Sequence, residues 1–479
     1  MNVYNFKNPL TQAAFDYFLQ ISAIPRESGN EKRISAFIAA FAQKHGLFVF
    51  VDDFLNVLIK KPASAGREHE PPVILQAHMD MVAVKNLGCA HNFLTDPIKP
   101  VINGDRLKAD GTSLGADNGC GAAYILAVLA NGALCHPPIE AVFTSDEERG
   151  LTGALNFDAS KLTGSRFINS DSEDDGVFAV SCAGSIDVGI KTPLTFFAAD
   201  GGLASYKLTV KGLLGGHSGM DINKGRANAI ILLARLLSAL ADEGAALNGM
   251  AGGEKANAIP REAYALISFD AARYENINAV IQNNKRRFLA ENPAERGLEI
   301  TLEKTAAQKD AVSADSARRA INGIVNCPNG PILMKENEVW ASYNLAVTAV
   351  EGGFLYQKGL ARFHDGLGRA QAQTALEAAA KNSGAEYALN RESPAWEYKE
   401  RSPLRDTACA VYQKLFGQAA RTQNVHAGLE CAVFAQKMPS VDFLSLGPQI
   451  DSPHSPDESL SLSSFDTTFS FFVKLIEAL

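Results

Sequence analysis

The sequence predicts an α/β fold, a mixed-sheet domain interrupted by an inserted α+β domain, and three observations carry that prediction. Short apolar runs, Val73-Ile74-Leu75-Gln76-Ala77, Ile139-Glu140-Ala141-Val142-Phe143-Thr144 and Phe167-Ile168-Asn169, have the composition of buried parallel strands. Each of these runs leads at once into a histidine or an acid. From Cys182 onward the pattern changes to alternating strands and long amphipathic helices, and beyond Trp396 a core-type run, Val441 to Gly447, returns. These changes place the domains at residues 1–186, 187–395 and 396–479, the first and third forming one body around the insert.

The totals narrow the function. Among 479 residues, 45 are basic and 53 acidic, a net charge of −8 with no Lys/Arg run, which argues against nucleic acid or anionic membranes as partners. No stretch of eighteen apolar residues occurs, and Met1 to Lys7 lacks the basic-then-apolar layout of a signal peptide. Seven scattered cysteines, odd in number and without a CxxC pair, read as reduced buried thiols of a cytoplasmic protein.

Taken in order, residues 8–46 predict two helices, with Phe15, Phe18 and Leu19 on one and Ile34, Phe37, Ile38 and Phe41 on the other. They are separated by a break at Pro25-Arg26-Glu27-Ser28-Gly29. Two strands follow at 48–51 and 56–59. The run 73–77 then delivers His78-Met79-Asp80 at a carboxyl end, where ligands of open α/β sheets bind. After a polar hairpin at 103–107 comes Ser113-Leu114-Gly115-Ala116-Asp117-Asn118-Gly119-Cys120-Gly121. Its glycines permit a tight turn, and an apolar helix follows until Asn131-Gly132. Strand 139–144 ends in Ser145-Asp146-Glu147-Glu148, and 167–169 leads to Asp171. The insert carries a strand at 204–210, Gly215-Gly216-His217-Ser218-Gly219, helices near 228–240, 276–289 and 313–325, and a strand at 263–269. Ala204-Ser205-Tyr206-Lys207-Leu208-Thr209-Val210 is echoed by Ala341-Ser342-Tyr343-Asn344-Leu345-Ala346-Val347, which points to a duplicated half-domain. A helix at 403–416, the strand 441–447, the segment Asp451-Ser452-Pro453-His454 and a last helix complete the chain.

An aspartate at a helix mouth reads equally as a cap. The company of His78, Glu148, Asp171 and His454, all at or beyond strand ends, favours Asp117 as a carboxylate shared by two metal ions. Asp80, two residues after His78, is placed to orient its imidazole. Adjacent Glu147 and Glu148 point differently, so one can bind metal while its neighbour acts as a general base.

The segments Gln76-Ala77-His78-Met79-Asp80-Met81-Val82, Leu114-Gly115-Ala116-Asp117-Asn118-Gly119, Phe143-Thr144-Ser145-Asp146-Glu147-Glu148, Asn169-Ser170-Asp171-Ser172-Glu173 and Gly216-His217-Ser218-Gly219, with the His454 segment, resemble the M20 metallopeptidases. Asn257-Ala258-Ile259-Pro260-Arg261-Glu262 and His426-Ala427-Gly428-Leu429-Glu430 are similar to the aminoacyl-histidine (Xaa-His) dipeptidases of that clan. The resemblance implies a zinc-peptidase-type catalytic domain with an inserted lid. It implies Asp117 bridging two metals, His78 and Asp171 completing one site and Glu148 and His454 the other. Glu147 would then be the general base, Asp80 the residue orienting His78, and His217 a lid donor to the oxyanion. It also implies a possible homodimer through the lid. Arg149 departs from the pattern, standing where a small residue is usual.

Nitrogen and carboxylate donors without thiolate suit zinc, with manganese or cobalt as alternatives. Two such ions about 3.5–4 Å apart can hold a hydroxide between them and polarise a peptide carbonyl. The expected function is a dinuclear dipeptidase acting on small Xaa-His peptides. Its alternatives are a tripeptidase, an N-acyl-amino-acid amidohydrolase, or a non-catalytic metal-binding protein. Asn257, Arg362, His426 and Glu430 are the candidates for the substrate pocket, Arg362 for the substrate carboxylate.

Overall fold

The computed structural model describes residues 4–199 and 201–479, and these divide into two compact units. The first comprises residues 4–182, Tyr398–Val425 and Leu429–Leu479; the second comprises Ala183–Glu397 and His426–Gly428. Sequence reading put residues 426–428 with the returning segment. They join the second unit because His426 hydrogen-bonds Ser342 and His364, while the Ala183 N–H donates to the Ala427 carbonyl.

The first unit is built on an eight-stranded sheet. Its order is Phe48–Val51, Val57–Lys61, Ile139–Thr144, Val73–His78, Arg166–Asn169, Asp442–Ser445, Val177–Cys182 and Arg421–Val425. The four strands from Ile139–Thr144 to Asp442–Ser445 are mutually parallel, so their carboxyl ends open on one edge. Strands Val73–His78 and Ile139–Thr144 are buried along their whole length, which explains their continuous apolar reading. Helices Pro9–Ser22, Lys32–Lys44, Ala116–Ala130, Pro403–Phe416 and Leu462–Ala478 supply the covering layers. The first, third and last meet in an aromatic core of Phe15, Phe18, Tyr124, Phe465, Phe469 and Phe472.

A second, four-stranded antiparallel sheet has the order Ile450–Asp451, Ser459–Ser461, Arg106–Ala109 and Pro100–Asn103. The sequence reading has only a hairpin at 103–107 and a loop after Asp451. Pairing of Leu107 with Leu460 joins these two distant segments and sets the His454 loop beside the Asp117 loop.

The second unit holds a nine-stranded sheet made of two four-stranded halves with the same element order, plus strand Gly330–Lys335 paired to Glu338–Glu351. One half runs Ala204–Lys211, helix Ala229–Asp242, Ala246–Gly252, Ala263–Phe269, helix Tyr274–Glu291, Glu299–Lys304. The other runs Gly184–Pro193, helix Ala314–Val325, Glu338–Glu351, Phe354–Phe363, helix Gly366–Asn382, Glu386–Ser393. In both, the first strand lies between the third and fourth, and all pairings are antiparallel. The halves join where Ala251 and Gly252 pair with Ala349 and Thr348. The duplication is therefore one of topology, and the sequence echo pairs strands that are not equivalent. Ala204–Lys211 is the first strand of its half, and Glu338–Glu351 the second of the other; alternating strands of similar pleat match by burial pattern alone.

Candidate metal centre

Four of the donors come from the ends of three parallel strands. His78 is the last residue of Val73–His78; Glu147 and Glu148 follow Ile139–Thr144; Asp171 follows Arg166–Asn169. Asp117 comes from the turn that opens helix Ala116–Ala130, where Asp117 and Asn118 still have non-helical backbone angles and their shared peptide is cis. His454 lies in the loop between two strands of the small sheet, at φ 57°, a left-handed conformation uncommon outside glycine. Asp146 shares that conformation, at φ 50°.

These side chains converge. His78 Nε2 lies 2.9 Å from Asp117 Oδ1 and 3.2 Å from Asp171 Oδ1. His454 Nε2 lies 3.0 Å from Asp117 Oδ2 and 3.0 Å from Glu148 Oε1. The two oxygens of Asp117 thus face two different imidazoles. Donor atoms of His78, Asp117 and Asp171 lie within 4.8 Å of one another, as do those of Asp117, Glu148 and His454, and those of His78, Glu147 and Glu148. Ligands 2.0–2.2 Å from a tetrahedral ion sit roughly 3.3–3.6 Å apart, and the observed 2.9–3.2 Å spacings need to open by only a few tenths of an ångström for two ions to share Asp117. Hydrogen bonding fits less well: each Nε2 meets two carboxylate oxygens but has at most one proton to give. His78 Nδ1 is buried without a hydrogen-bond partner, its nearest acid being Asp80 Oδ1 at 3.5 Å.

Charge is crowded here. Burial, then repulsion from Asp117, pushes Glu148 up to about 7. Burial pushes Asp171 up to about 6 against the pull of His78. Burial and the neighbouring Glu148 lift Glu147 well above the carboxylate range. Burial disfavours a charged His454, yet bonds to Asp117 and Glu148 raise it to about 11. Asp80 behaves oppositely. Burial works against ionisation, but His78, Ser28 Oγ at 2.7 Å and the Glu147 N–H at 3.1 Å hold it below the usual range. Arg149, exposed, pairs with Asp146 at 2.5 Å and leaves the cage to the acids.

The other named residues fall into two groups. In the second unit, Gly216–His217 pairs with Ala258–Ile259, and the Ser218 N–H donates to the carbonyl of exposed Asn257. His217 Nδ1 accepts from the N–H groups of Gly219 and Met220, which leaves the ring proton on Nε2. Buried Arg362 approaches that nitrogen to 3.3 Å and also reaches Ser218 Oγ. His426, a pocket candidate, has both ring nitrogens engaged, Nε2 by Ser342 Oγ at 2.8 Å and Nδ1 by His364 Nε2 at 3.1 Å. In the first unit Glu430 is fully buried and accepts from Gln76 Nε2 and Thr144 Oγ1. It therefore lies under the strand ends of the first unit.

Comparison with known proteins identifies the family. Residues 74–478 match the profile of the family described as Peptidase family M20/M25/M40. The chain is 37% identical over 473 residues to the cytosol non-specific dipeptidase of Escherichia coli K12, covering 97% of each. The solved aminoacylhistidine dipeptidase of Vibrio alginolyticus superposes with a TM-score of 0.82 at 36% identity, over 98% of this chain and 96% of that one. A tripeptidase of Staphylococcus aureus shares the fold at 17% identity, with a TM-score of 0.57 over 98% of both chains.

Proposed function

The chain belongs to peptidase family M20/M25/M40 and is a metallopeptidase of dipeptidase type; from that premise we propose that it cleaves small dipeptides with a C-terminal histidine, in the cytoplasm. The observation that carries the metal-dependent reading is Asp117, whose two oxygens face His78 and His454 separately. In this reading His78 and Asp171 hold one ion, Glu148 and His454 the other, and Asp117 both. Zinc is the ion the nitrogen and carboxylate donors favour. When bound, the pair supplies Lewis-acid polarisation of the scissile carbonyl and a water of lowered pKa.

The chain's own residues do the rest. Glu147, partly buried and lifted in pKa, takes the proton from the attacking water and passes it to the leaving amine. Asp80 fixes His78 from behind and receives the Glu147 and Glu148 N–H groups, so it holds base and ligand in register. His217 donates Nε2–H to the developing oxyanion, and Arg362 takes the substrate carboxylate. Asn257, whose carbonyl accepts from the Ser218 N–H, remains a candidate for the substrate, and His426 is held by Ser342 on the strand next to that of Arg362.

The Vibrio relative's name supports histidine at the C-terminal position, and the Escherichia coli relative's name favours a wider range of dipeptides. Rates on several Xaa-His peptides, the matched Xaa-Leu peptides, a tripeptide and an N-acetyl amino acid separate the readings. Preference for Xaa-His supports ours. Equal kcat/KM on Xaa-Leu favours the wider one, and preference for the tripeptide or the N-acetyl compound removes the dipeptidase reading.

A further inference from the structure

The mouth of helix Ala116–Ala130 presents four successive backbone N–H groups, an arrangement that favours an anion. The protein fills it with its own carboxylate. Glu458 Oε2 accepts from Leu114 at 2.7 Å and Gly115 at 2.9 Å, and Oε1 from Ala116 at 2.7 Å and Asp117 at 3.4 Å. Arg26, equally buried, grips the same loop from the other side. Its Nη2 donates to the Gly115 carbonyl at 2.5 Å, and its Nη1 to the carbonyls of Asp80 at 2.6 Å and Met79 at 3.1 Å. Gly115 is thus held at its N–H by an anion and at its carbonyl by a cation. At φ 70°, with the position of a Cβ only 2.5 Å from Arg26 Nη2, it has to be glycine. Arg26 also joins this loop to the strand end that carries His78.

We propose that Arg26 and Glu458 are positioning residues of the metal centre, clamping the Gly115 turn so that the Asp117 carboxylate stays between its two imidazoles. The inference rests on the metal-centre reading above. Outer partners of metal ligands typically change affinity about 10–100-fold when replaced. Glu458→Gln keeps the shape but turns an amide NH2 toward two of the four donors. Arg26→Lys keeps the charge but loses the planar fork that spans both loops.

The test titrates metal-stripped wild type and both variants with cobalt, reading stoichiometry, affinity and the visible absorption of the bound ions. Circular dichroism checks that each chain is folded. The expected result is two ions in wild type, and in either folded variant a 10–100-fold weaker affinity with an altered cobalt spectrum. A folded variant with wild-type affinity and spectrum overturns the clamp, whatever its melting temperature. Wild type that takes up no cobalt overturns the metal-centre reading, and the clamp with it. If Glu458→Gln does not fold, the Arg26→Lys chain decides by the same criteria.

Discussion

Asp80, buried, and Glu147, partly buried, are both carboxylates beside His78, yet their surroundings drive them apart. Asp80 collects hydrogen bonds that stabilise its charge, and Glu147 meets apolar burial and a like-charged neighbour. A base must be free to accept a proton, and a support must not, so the pair divides the two duties. Glu147→Gln should therefore retain two metals per chain while kcat falls about 10²–10⁴-fold. Metal analysis beside a rate assay checks this, and a fully active variant moves the base elsewhere, Asp146 being the nearest alternative. His217→Ala should lower kcat about 10²–10³-fold with little change in KM, because a donor to developing charge matters only in the transition state. At this scale the sequence was legible wherever a polar residue ended an apolar run. It was silent on Arg26 and on the place of Glu458, because their partners are backbone groups that carry no signature of their own.

At the scale of elements, the cage is assembled by three parallel strand ends, one turn and one loop. Asp117→Ala should reduce metal content at both sites, whereas His78→Ala and His454→Ala should each mainly weaken one. Equilibrium dialysis with the metal reads all three, and an Asp117→Ala chain with two ions at wild-type affinity ends the shared-ligand model. Buried strands such as Val73–His78 were legible because both faces are covered and the run is uniformly apolar. Gly184–Pro193 and Phe354–Phe363 escaped notice as strands although they form the middle of the second half-sheet. Glycines and charged residues on their open faces dilute the pattern, as Lys191 and Lys358 show.

For the whole molecule, the second unit contains a pair of stacked, buried histidines that resist protonation. Burial pushes His364 down to about 4, against Asp365 and with Lys335. Burial, then His364, Arg362 and His217, push His426 down to about 2. Folded-state values below the ordinary 6.5 mean that the unfolded chain binds protons first as pH falls. Their contribution to stability is complete above about 6.5 and is lost as pH falls toward 4, by up to about tenfold in the folding equilibrium per histidine and pH unit. Melting curves from pH 7.5 to 5 should show a steeper decline for wild type than for His364→Gln; parallel declines rule the pair out as the cause. The second unit repeats its half-sheet within one chain. His217 is accordingly expected to serve its own chain. Mixed His217→Ala and Glu147→Gln chains should stay inactive under subunit exchange, and recovered activity assigns His217 to a neighbour.

The joining of Leu107 to Leu460 also has a consequence for synthesis. His454 and Glu458 leave the ribosome 337 and 341 residues after Asp117, the residue they hold. At about 5–20 residues per second, that interval lasts roughly 17–70 s. Throughout it the Gly115 turn lacks its carboxylate, and Asp117 has only one of its two imidazoles. A nascent or truncated chain can bury most of the first sheet and still have no complete centre. Hydrolysis therefore waits until residues 454–458 have emerged and taken their places beside Asp117.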